Sequence, residues 1–290
     1  MPMGPLILSR DQSLYSTRRL VEAARASGRD PLVADPTLCS VQVGKPARVT
    51  YEGALLEGIS VVLPRLGYSS LTAGINVLRA LELSGVPCLN SSQGIELARN
   101  KYGVMMALAG AGMFVPRTVL LNRPDGVDMA FEAVGGAPLL LKFLDGSQGV
   151  GVVLAESERS ARSMADAMLA GGKPLLVQEG LRAARDVRVL VIDGRAVAAM
   201  ERSAKPGEFR ANIHRGATAR SMELDAPLAG VAAQAANAVG LAVAGVDLVR
   251  GERGDAVIDV NASPGLEGIE QASGKDLARM IVDSAISLSR

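Results

Sequence analysis

The sequence predicts a small α/β domain with a parallel sheet, followed by a larger α+β region, and three observations lead there. Up to Leu89, short apolar runs alternate with helical periods in strand–helix–strand order. From Val115 the rhythm changes, and strands succeed one another across glycine-rich or Asp-Gly turns. Near the end, Val243–Arg250 and Ala256–Asn261 read as two strands joined by a Gly- and charge-rich turn at Gly251–Asp255. Those two apolar strands are interrupted only by Asp247, Asp259 and Asn261 among oxygen-bearing side chains.

The elements follow in order. Pro5–Ser9 reads as a buried strand, Ser16–Ser27 as a helix ended by Gly28, and Asp30–Asp35 as the next strand. Residues 46–57 alternate around Glu52-Gly53 as a hairpin. Ser60–Pro64, Leu71–Ser84 and Val86–Leu89 continue as strand, helix and strand, so Pro64-Arg65-Leu66-Gly67 falls just past a strand's carboxyl end. Open α/β sheets place ligands there, although a surface turn is the commoner reading of such a segment. Ser91–Ala98 and Lys101–Ala111 are helical, closing on Gly112 and Pro116. Strands are expected at Val115–Leu121, Pro138–Phe143, Val152–Ala155 and Leu175–Glu179, with helices at Val127–Val134 and Glu158–Leu169. Asp186–Ile192 and Ala196–Arg202 form a long hairpin turning at Asp193-Gly194.

Composition narrows the classes. A chain of 290 residues with 48% hydrophobic and 21% charged residues can bury two or three compact units. A net charge of +1 argues for neither nucleic acid nor a membrane surface as partner. Cys39 and Cys88 form no disulfide framework and no metal spacing, which suits a reducing cytoplasm. The N-terminus shows no signal-peptide pattern. Ala226–Val246 lacks charge and is long enough to span a bilayer. It contains Pro227, Gln234, Asn237 and three glycines, and divides better into a helix with Leu228, Val231, Ala235 and Val239 inward, then a strand.

Several constellations carry chemistry. Asp259 and Asn261 share a strand face, and an antiparallel partner brings Asp247 beside them. Close carboxylates on a buried face repel, and a hard cation such as Mg2+ resolves the conflict; pairing with Lys or Arg would resolve it too. Lys142 precedes a loop with glycines at 146, 149 and 151, where backbone N–H groups can crowd a phosphate. That loop lies between strands and opens no helix, so it is neither a Walker loop nor a dinucleotide fingerprint. Gln178-Glu179 ends an apolar strand and could meet an adenine edge, with Asp186 on a ribose hydroxyl, or both acids could be solvated strand ends. Arg202, Lys205, Arg210 and Arg215 cluster with Asn212 and the single histidine, His214, as a polyanion pocket or a solvated basic loop. His214 is assigned no proton transfer.

In order, the glycine loop, the Gln-Glu hinge, the basic loop with Asn212, Asp247 and Asp259-x-Asn261 resemble the ATP-grasp superfamily. Leu8-Ser-Arg-Asp11 with Leu14-Tyr-Ser16, Pro64-Arg65, Gly135-Gly-Ala-Pro-Leu139, Gly146–Glu156, Phe209–Gly216 and Val260–Glu270 are similar to the RimK family across nearly the whole chain. That resemblance implies a three-part ATP-grasp architecture: an N-terminal α/β pre-ATP-grasp domain at 1–92, a central small lobe at 93–179 and a C-terminal metal-bearing lobe at 180–290. It implies an ATP-dependent ligase adding L-glutamate to the C-terminus of ribosomal protein S6 through an acylphosphate, in the cytoplasm, as a homo-oligomer, without nucleic acid or membrane. Lys101 and Lys142 would contact phosphates. Gln178, Glu179 and Gly180 would line the adenine site and Asp186 the ribose. Arg210, Ala211 and Asn212 would face the triphosphate. Asp247, Asp259 and Asn261 would hold two ions of magnesium, or of manganese. Arg65, Arg202, Arg215 and Ser263 are candidates for the acceptor or amino-acid side.

Four positions depart from the family pattern. Asp259 stands where Glu is usual, Asn100 where Asp precedes the first phosphate lysine, Gly180 where the hinge residue is larger, and Gly216-Ala217 where two glycines stand. Two alternatives follow: a sister ligase joining an amino acid to a carrier-protein tail or small cofactor, and a nucleotide-binding regulator without turnover.

Overall fold

A computed structural model describes residues 4–144, 151–181, 185–203, 218–251 and 253–289. The chain begins with β1 (Gly4–Leu8), α1 (Tyr15–Ala26) and β2 (Leu32–Ala34). A separate antiparallel sheet of β3 (Cys39–Gln42), β4 (Arg48–Tyr51) and β5 (Ala54–Leu55) follows, then β6 (Ile59–Pro64) and α2 (Leu71–Leu83). The parallel sheet runs β2-β1-β6 and is buried on both faces, as crossover helices require. Leu6, Leu8 and Val62 face one core with Leu78 of α2, while Ile7, Val61 and Leu63 face another with Leu20 of α1.

The expected strand at Val86–Leu89 is reduced to one parallel bridge, Val62 to Cys88. Val62 N–H bonds the Pro87 carbonyl and Leu89 N–H returns to Val62, but Pro87 has no N–H with which to extend the ladder. α3 (Ser92–Arg99) and α4 (Lys101–Gly110) are each capped from the preceding side chain, Ser91 onto Gly94 N–H and Asn100 onto Gly103 N–H.

Next come β7 (Thr118–Leu121), α5 (Val127–Val134), β8 (Leu139–Phe143), β9 (Val152–Ala155), α6 (Glu158–Leu169) and β10 (Leu175–Glu179), with sheet order β7-β10-β8-β9 and every pairing antiparallel. Leu139, Leu141, Leu175 and Val177 pack with residues of α5 and α6. By the two-residue period, Leu140, Lys142 and Gln178 turn to the opposite face.

The last sheet comprises β11 (Arg185–Ile192), β12 (Arg195–Ser203), β13 (Thr218–Met222), β14 (Val243–Gly251) and β15 (Gly254–Asn261) in the order β13-β12-β11-β14-β15. The β11–β12 turn is Asp193-Gly194, both at positive φ (48° and 69°), which matches the strands' right-handed twist. Between β13 and β14 lies α7 (Ala226–Val239), and the chain closes with α8 (Glu267–Ser273) and α9 (Leu277–Ser287). The uncharged run therefore splits at Gly240 (φ 73°) into helix and strand. Among the described residues, no helix is long and apolar enough to cross a membrane.

Asn90 fastens the N-terminal part to the last sheet. Its amide donates to the carbonyls of Val243 (2.7 Å) and Ala262 (3.0 Å) and accepts from Val243 N–H (2.8 Å), all buried. Its backbone sits at φ 81°. Asn90→Ala is expected to cost about 2–4 kcal/mol in urea unfolding by stranding buried backbone groups. Asn90→Gly should cost nearly as much despite relieving the positive φ, and a stabilised Gly variant would show that backbone strain, not bonding, dominates.

Candidate active site

Strand alternation sorts the five-stranded sheet into two faces. Val187, Val189, Val191, Ala244, Val246 and Leu248 pack in one core with Leu228, Ala232 and Ala235 of α7. On the other face, Leu190, Ile192, Met200 and Val243 pack with α8 and α9 residues at one end. Toward the other end the same face carries Asp186 and Arg188 on β11, Arg202 on β12, Asp247 on β14, and Asp259 and Asn261 on β15. Cross-strand register sets Asp186 opposite Arg202, Arg188 opposite Asp247, and Asp247 opposite Asp259.

The β14–β15 register then jumps, pairing Leu248 with Val257, so Ile258 is an extra residue. This bulge lets Val257 and Val260 both join the α7 core while Ile258 and Asp259 face away from it. A cleft of about 490 Å3 lies between this charged end and the free face of the four-stranded sheet. Leu140, Leu154, Val249 and Ile258 give it apolar walls, and Lys142, Gln178, Glu179 and Asp186 give it polar ones.

Asp247 is 6% exposed and held by two guanidiniums. Arg188 grips it through Nε and Nη2, and Arg202 Nη2 lies 3.0 Å away. Burial pushes the Asp247 carboxyl up, but the two arginines outweigh it and hold it below the usual carboxylate range. Arg202 also forks onto Asp186 at 2.6 and 2.8 Å. Burial, and then Asp247 nearby, pushes Asp186 up to about 6 against that pairing.

Asp259 makes one longer contact, 3.8 Å to Lys101 Nζ. Asn261 donates its amide N–H to the Gly245 carbonyl at 3.3 Å, which leaves its side-chain oxygen as an acceptor. Two carboxylates and an amide oxygen sharing a face suit a hard cation, and among them Asp259 and Asn261 are not bound by an arginine. No group of three or more His, Cys, Asp or Glu side chains gathers as a metal site among the described residues, so a site here depends on the asparagine.

Across the cleft, Lys142 Nζ donates to Gln178 Oε1 at 2.5 Å, and Gln178 Nε2 donates to Thr118 Oγ1 at 2.8 Å. Burial, then repulsion from Lys101, lowers the Lys142 pKa to about 8, with Asp259 opposing. Glu179 is bonded by Arg117 at 3.2 Å and by Arg253 at 2.5 Å. The thiols offer no nucleophile, since burial pushes Cys39 up to about 11 and Cys88 up to about 12.

The comparisons join this geometry to a lineage. Residues 98–285 match the model of the RimK-like ATP-grasp domain, and residues 3–95 match that of the RimK PreATP-grasp domain. The chain belongs to the RimK-like ATP-grasp family. It is 46% identical over 280 residues to a "Probable alpha-L-glutamate ligase" of Serratia proteamaculans (strain 568), covering 96% of this chain and 93% of the relative. A second protein of that name, from Thioalkalivibrio sulfidiphilus (strain HL-EbGR7), is 47% identical over 280 residues, covering 95% and 93%. The fold is shared with the ATP-grasp ligase PsnB complexed with a phosphomimetic variant of its minimal precursor, Mg and ADP. That match has a TM-score of 0.77 at 22% identity, over 100% of this chain and 99% of the other.

Within this RimK-like frame the sequence departures acquire physical reasons. Asn100 caps α4 directly before Lys101, a task Asp performs equally well. At Gly180 a Cβ would lie 2.3 Å from the Pro138 carbonyl oxygen, so the position excludes a side chain. Its N–H already donates to that carbonyl at 3.0 Å. The basic loop, with Arg210, Ala211, Asn212, His214 and Arg215, lies outside the described residues, as do Gly146 and Gly149. Arg188 and Thr118 enter the site although neither stands out in the sequence.

The lowered Lys142 pKa supplies a test of whether this lysine meets phosphate. Phosphates favour the ammonium form, so a triphosphate bound through Lys142 takes up a proton above about pH 8. Calorimetry in buffers of different ionisation enthalpy is expected to show that uptake, with ATP affinity falling as pH rises through the free-protein pKa. Both effects should vanish in Lys142→Met; an affinity flat with pH in the wild-type protein would remove Lys142 from the phosphate site.

Proposed function

We propose that this ATP-dependent ligase adds L-glutamate to the C-terminal carboxylate of an acceptor polypeptide, with ribosomal protein S6 as that acceptor. The observation that carries the reading is the pairing of a lysine-bearing apolar cleft with a carboxylate–asparagine set on one sheet face. The "alpha-L-glutamate ligase" name of relatives at 46% and 47% identity supports the choice of amino acid. The S6 acceptor rests on the RimK-like motifs of the chain.

In this reading Leu140, Leu154, Val249 and Ile258 enclose the adenine, beside Gln178, Glu179 and Gly180, and Asp186 meets the ribose. Glu179 enters already bound by Arg117 and Arg253, so it orients the cleft mouth as much as it accepts from a base. Lys101 and Lys142 neutralise phosphate oxygens, and Gln178 aims Lys142. Asp247, Asp259 and Asn261 hold magnesium, which supplies charge neutralisation on the transferring phosphoryl group. Arg188 and Arg202 keep Asp247 ionised and fixed. The RimK-like motifs assign Arg210, Ala211 and Asn212 to the triphosphate and Arg215 to the acceptor or amino-acid side; all four lie outside the described residues.

The acceptor's carboxylate oxygen attacks the γ-phosphorus, releasing ADP and leaving an acylphosphate. The glutamate amine then attacks the acyl carbon, loses a proton, and expels inorganic phosphate as the amide forms. No enzyme nucleophile is needed, so positioning and electrostatics provide the acceleration.

Incubation with ATP, Mg2+, L-glutamate and S6 is expected to raise the acceptor's mass by whole glutamyl residues, with stoichiometric phosphate release. An acceptor of unchanged mass beside tight ATP binding would favour a regulator, and transfer of a different amino acid would favour a sister ligase. Asp259→Asn should depress phosphate release on the order of a hundredfold at fixed Mg2+ by weakening that charge neutralisation. Unchanged turnover in that variant would place the metal elsewhere.

A further inference from the structure

Two arginines have no ion pair with any acid among the described residues. Arg65 follows the carboxyl end of β6, and Arg99 is the last residue of α3. Arg65 Nη2 donates to the Pro264 carbonyl at 2.7 Å, and Arg99 Nη2 donates to the Leu66 carbonyl. Neither makes another hydrogen bond or an ion pair among the described residues. Arg99 Nε and Ser263 Oγ are shut from solvent and have no hydrogen-bond partner among the described residues.

The three groups are roped together through one another's neighbours: Arg99 to the residue after Arg65, and Arg65 to the residue after Ser263. Burial, and then repulsion from Arg99, lowers the Arg65 pKa to about 10; burial lowers Arg99 as well, although Asp259 opposes it. Half-buried guanidiniums without a carboxylate are costly, and each still offers several N–H donors in a planar fork that fits a carboxylate.

We propose that Arg65, Arg99 and Ser263 seat a carboxylate of the incoming amino acid that stays ionised throughout the reaction, an inference that rests on the ligase function above. The acceptor's carboxylate is the poorer occupant. Its oxygen must attack phosphorus, and a pair of guanidiniums would draw charge from that oxygen. L-Glutamate reacts through its amine, so its α- and γ-carboxylates remain anions from binding to product. Place agrees with chemistry: Arg99 stands two residues before Lys101 and feels the field of Asp259, next to where the amine must meet the activated acyl group.

The test uses the full chain, with initial rates for L-glutamate, L-glutamine and L-isoglutamine in the wild type and in Arg65→Met, Arg99→Met, Arg99→Lys and Ser263→Ala. L-Glutamine lacks the γ-carboxylate and L-isoglutamine the α-carboxylate, so the two analogues tell which one is seated. Loss of a charged pair should raise KM for L-glutamate at least about tenfold in the Arg→Met variants, with KM for ATP within about twofold. The wild-type preference for L-glutamate over one analogue should collapse in those variants and partly return in Arg99→Lys, a change that a merely structural role would not produce. If Arg99→Met fails to fold, Ser263→Ala and Arg99→Lys carry the same comparison. Both preferences unchanged, or a rise confined to KM for ATP or for the acceptor, would overturn the seat. A wild-type enzyme that never uses glutamate would sink the function proposed above separately. Calorimetric binding of L-glutamate to wild type and to Arg99→Met would then still decide the seat, and equal or absent binding would reject it.

Discussion

Four charged side chains packed on one face of the last sheet set the terms for the site. Arg202, Asp186, Arg188 and Asp247 alternate in sign across three adjacent strands, and their formal charges cancel. Cancellation is what allows Asp247 to stay ionised at 6% exposure, because an isolated carboxylate there would take up a proton instead. The arrangement is not cheap, since each ion gives up hydration and only good geometry returns it. Asp186 shows the strain of sharing, pushed upward while Asp247 is held down by the same arginines. What the fold gains is a carboxylate of fixed charge and fixed position on the same sheet face as Asp186, which lines the cleft.

The cleft itself follows from two sheets that each give one face to helices and the other to the gap between them. The four-stranded sheet brings Leu140, Leu154, Lys142 and Gln178; the five-stranded sheet brings Asp186, Val249 and Ile258. Neither surface encloses the cleft alone, so their spacing matters. It is fixed at one end by Arg253, which bonds Glu179 of β10 and lies over the Phe114 ring at 5.1 Å, and by Val257 N–H on the Phe114 carbonyl. The bulge at Ile258 works at the same junction, adding an apolar contact beside Asp259 without breaking the α7 core.

Much of this was legible where local chemistry is strong. Val127–Val134, Val152–Ala155 and Glu158–Leu169 form where periodicity and the Ser157 cap put them, and Asp193-Gly194 turns as its φ demands. Asp259 and Asn261 could be placed on one face by counting, and Asp247 beside them by pairing. Arg188 was not legible, because an arginine in an apolar strand reads as a solvent-facing break until register sets it opposite Asp247. Thr118 was hidden for a similar reason, as its value lies in holding Gln178 from a neighbouring strand. Gly180 read as a departure from a larger hinge residue, whereas the nearby Pro138 carbonyl leaves no room for any side chain. β13, α8 and α9 were not assigned from the sequence; in the structure β13 and α8 pack against β12, and α9 packs against α1.

The cations of the cleft fall into two kinds by the partners they keep. Arg188, Arg202, Arg117 and Arg253 bond carboxylates, so their charge is already answered within the fold. Lys142, Arg65 and Arg99 bond neutral oxygens, an amide or a backbone carbonyl, which orient a cation without cancelling it. Lys101 reaches only a 3.8 Å contact with Asp259 and belongs closer to the second kind. A positive charge held in place but left unbalanced is stabilised when an anion arrives, and a lowered pKa is its signature in the free protein. Lys142 and Arg99 both feel the field of Asp259, Lys142 from the four-stranded sheet and Arg99 from the end of α3, and Arg65 is close enough to Arg99 to be repelled by it. The unanswered charge is therefore shared between the four-stranded sheet and the N-terminal part of the chain, and Asp259 is the acid whose field reaches both.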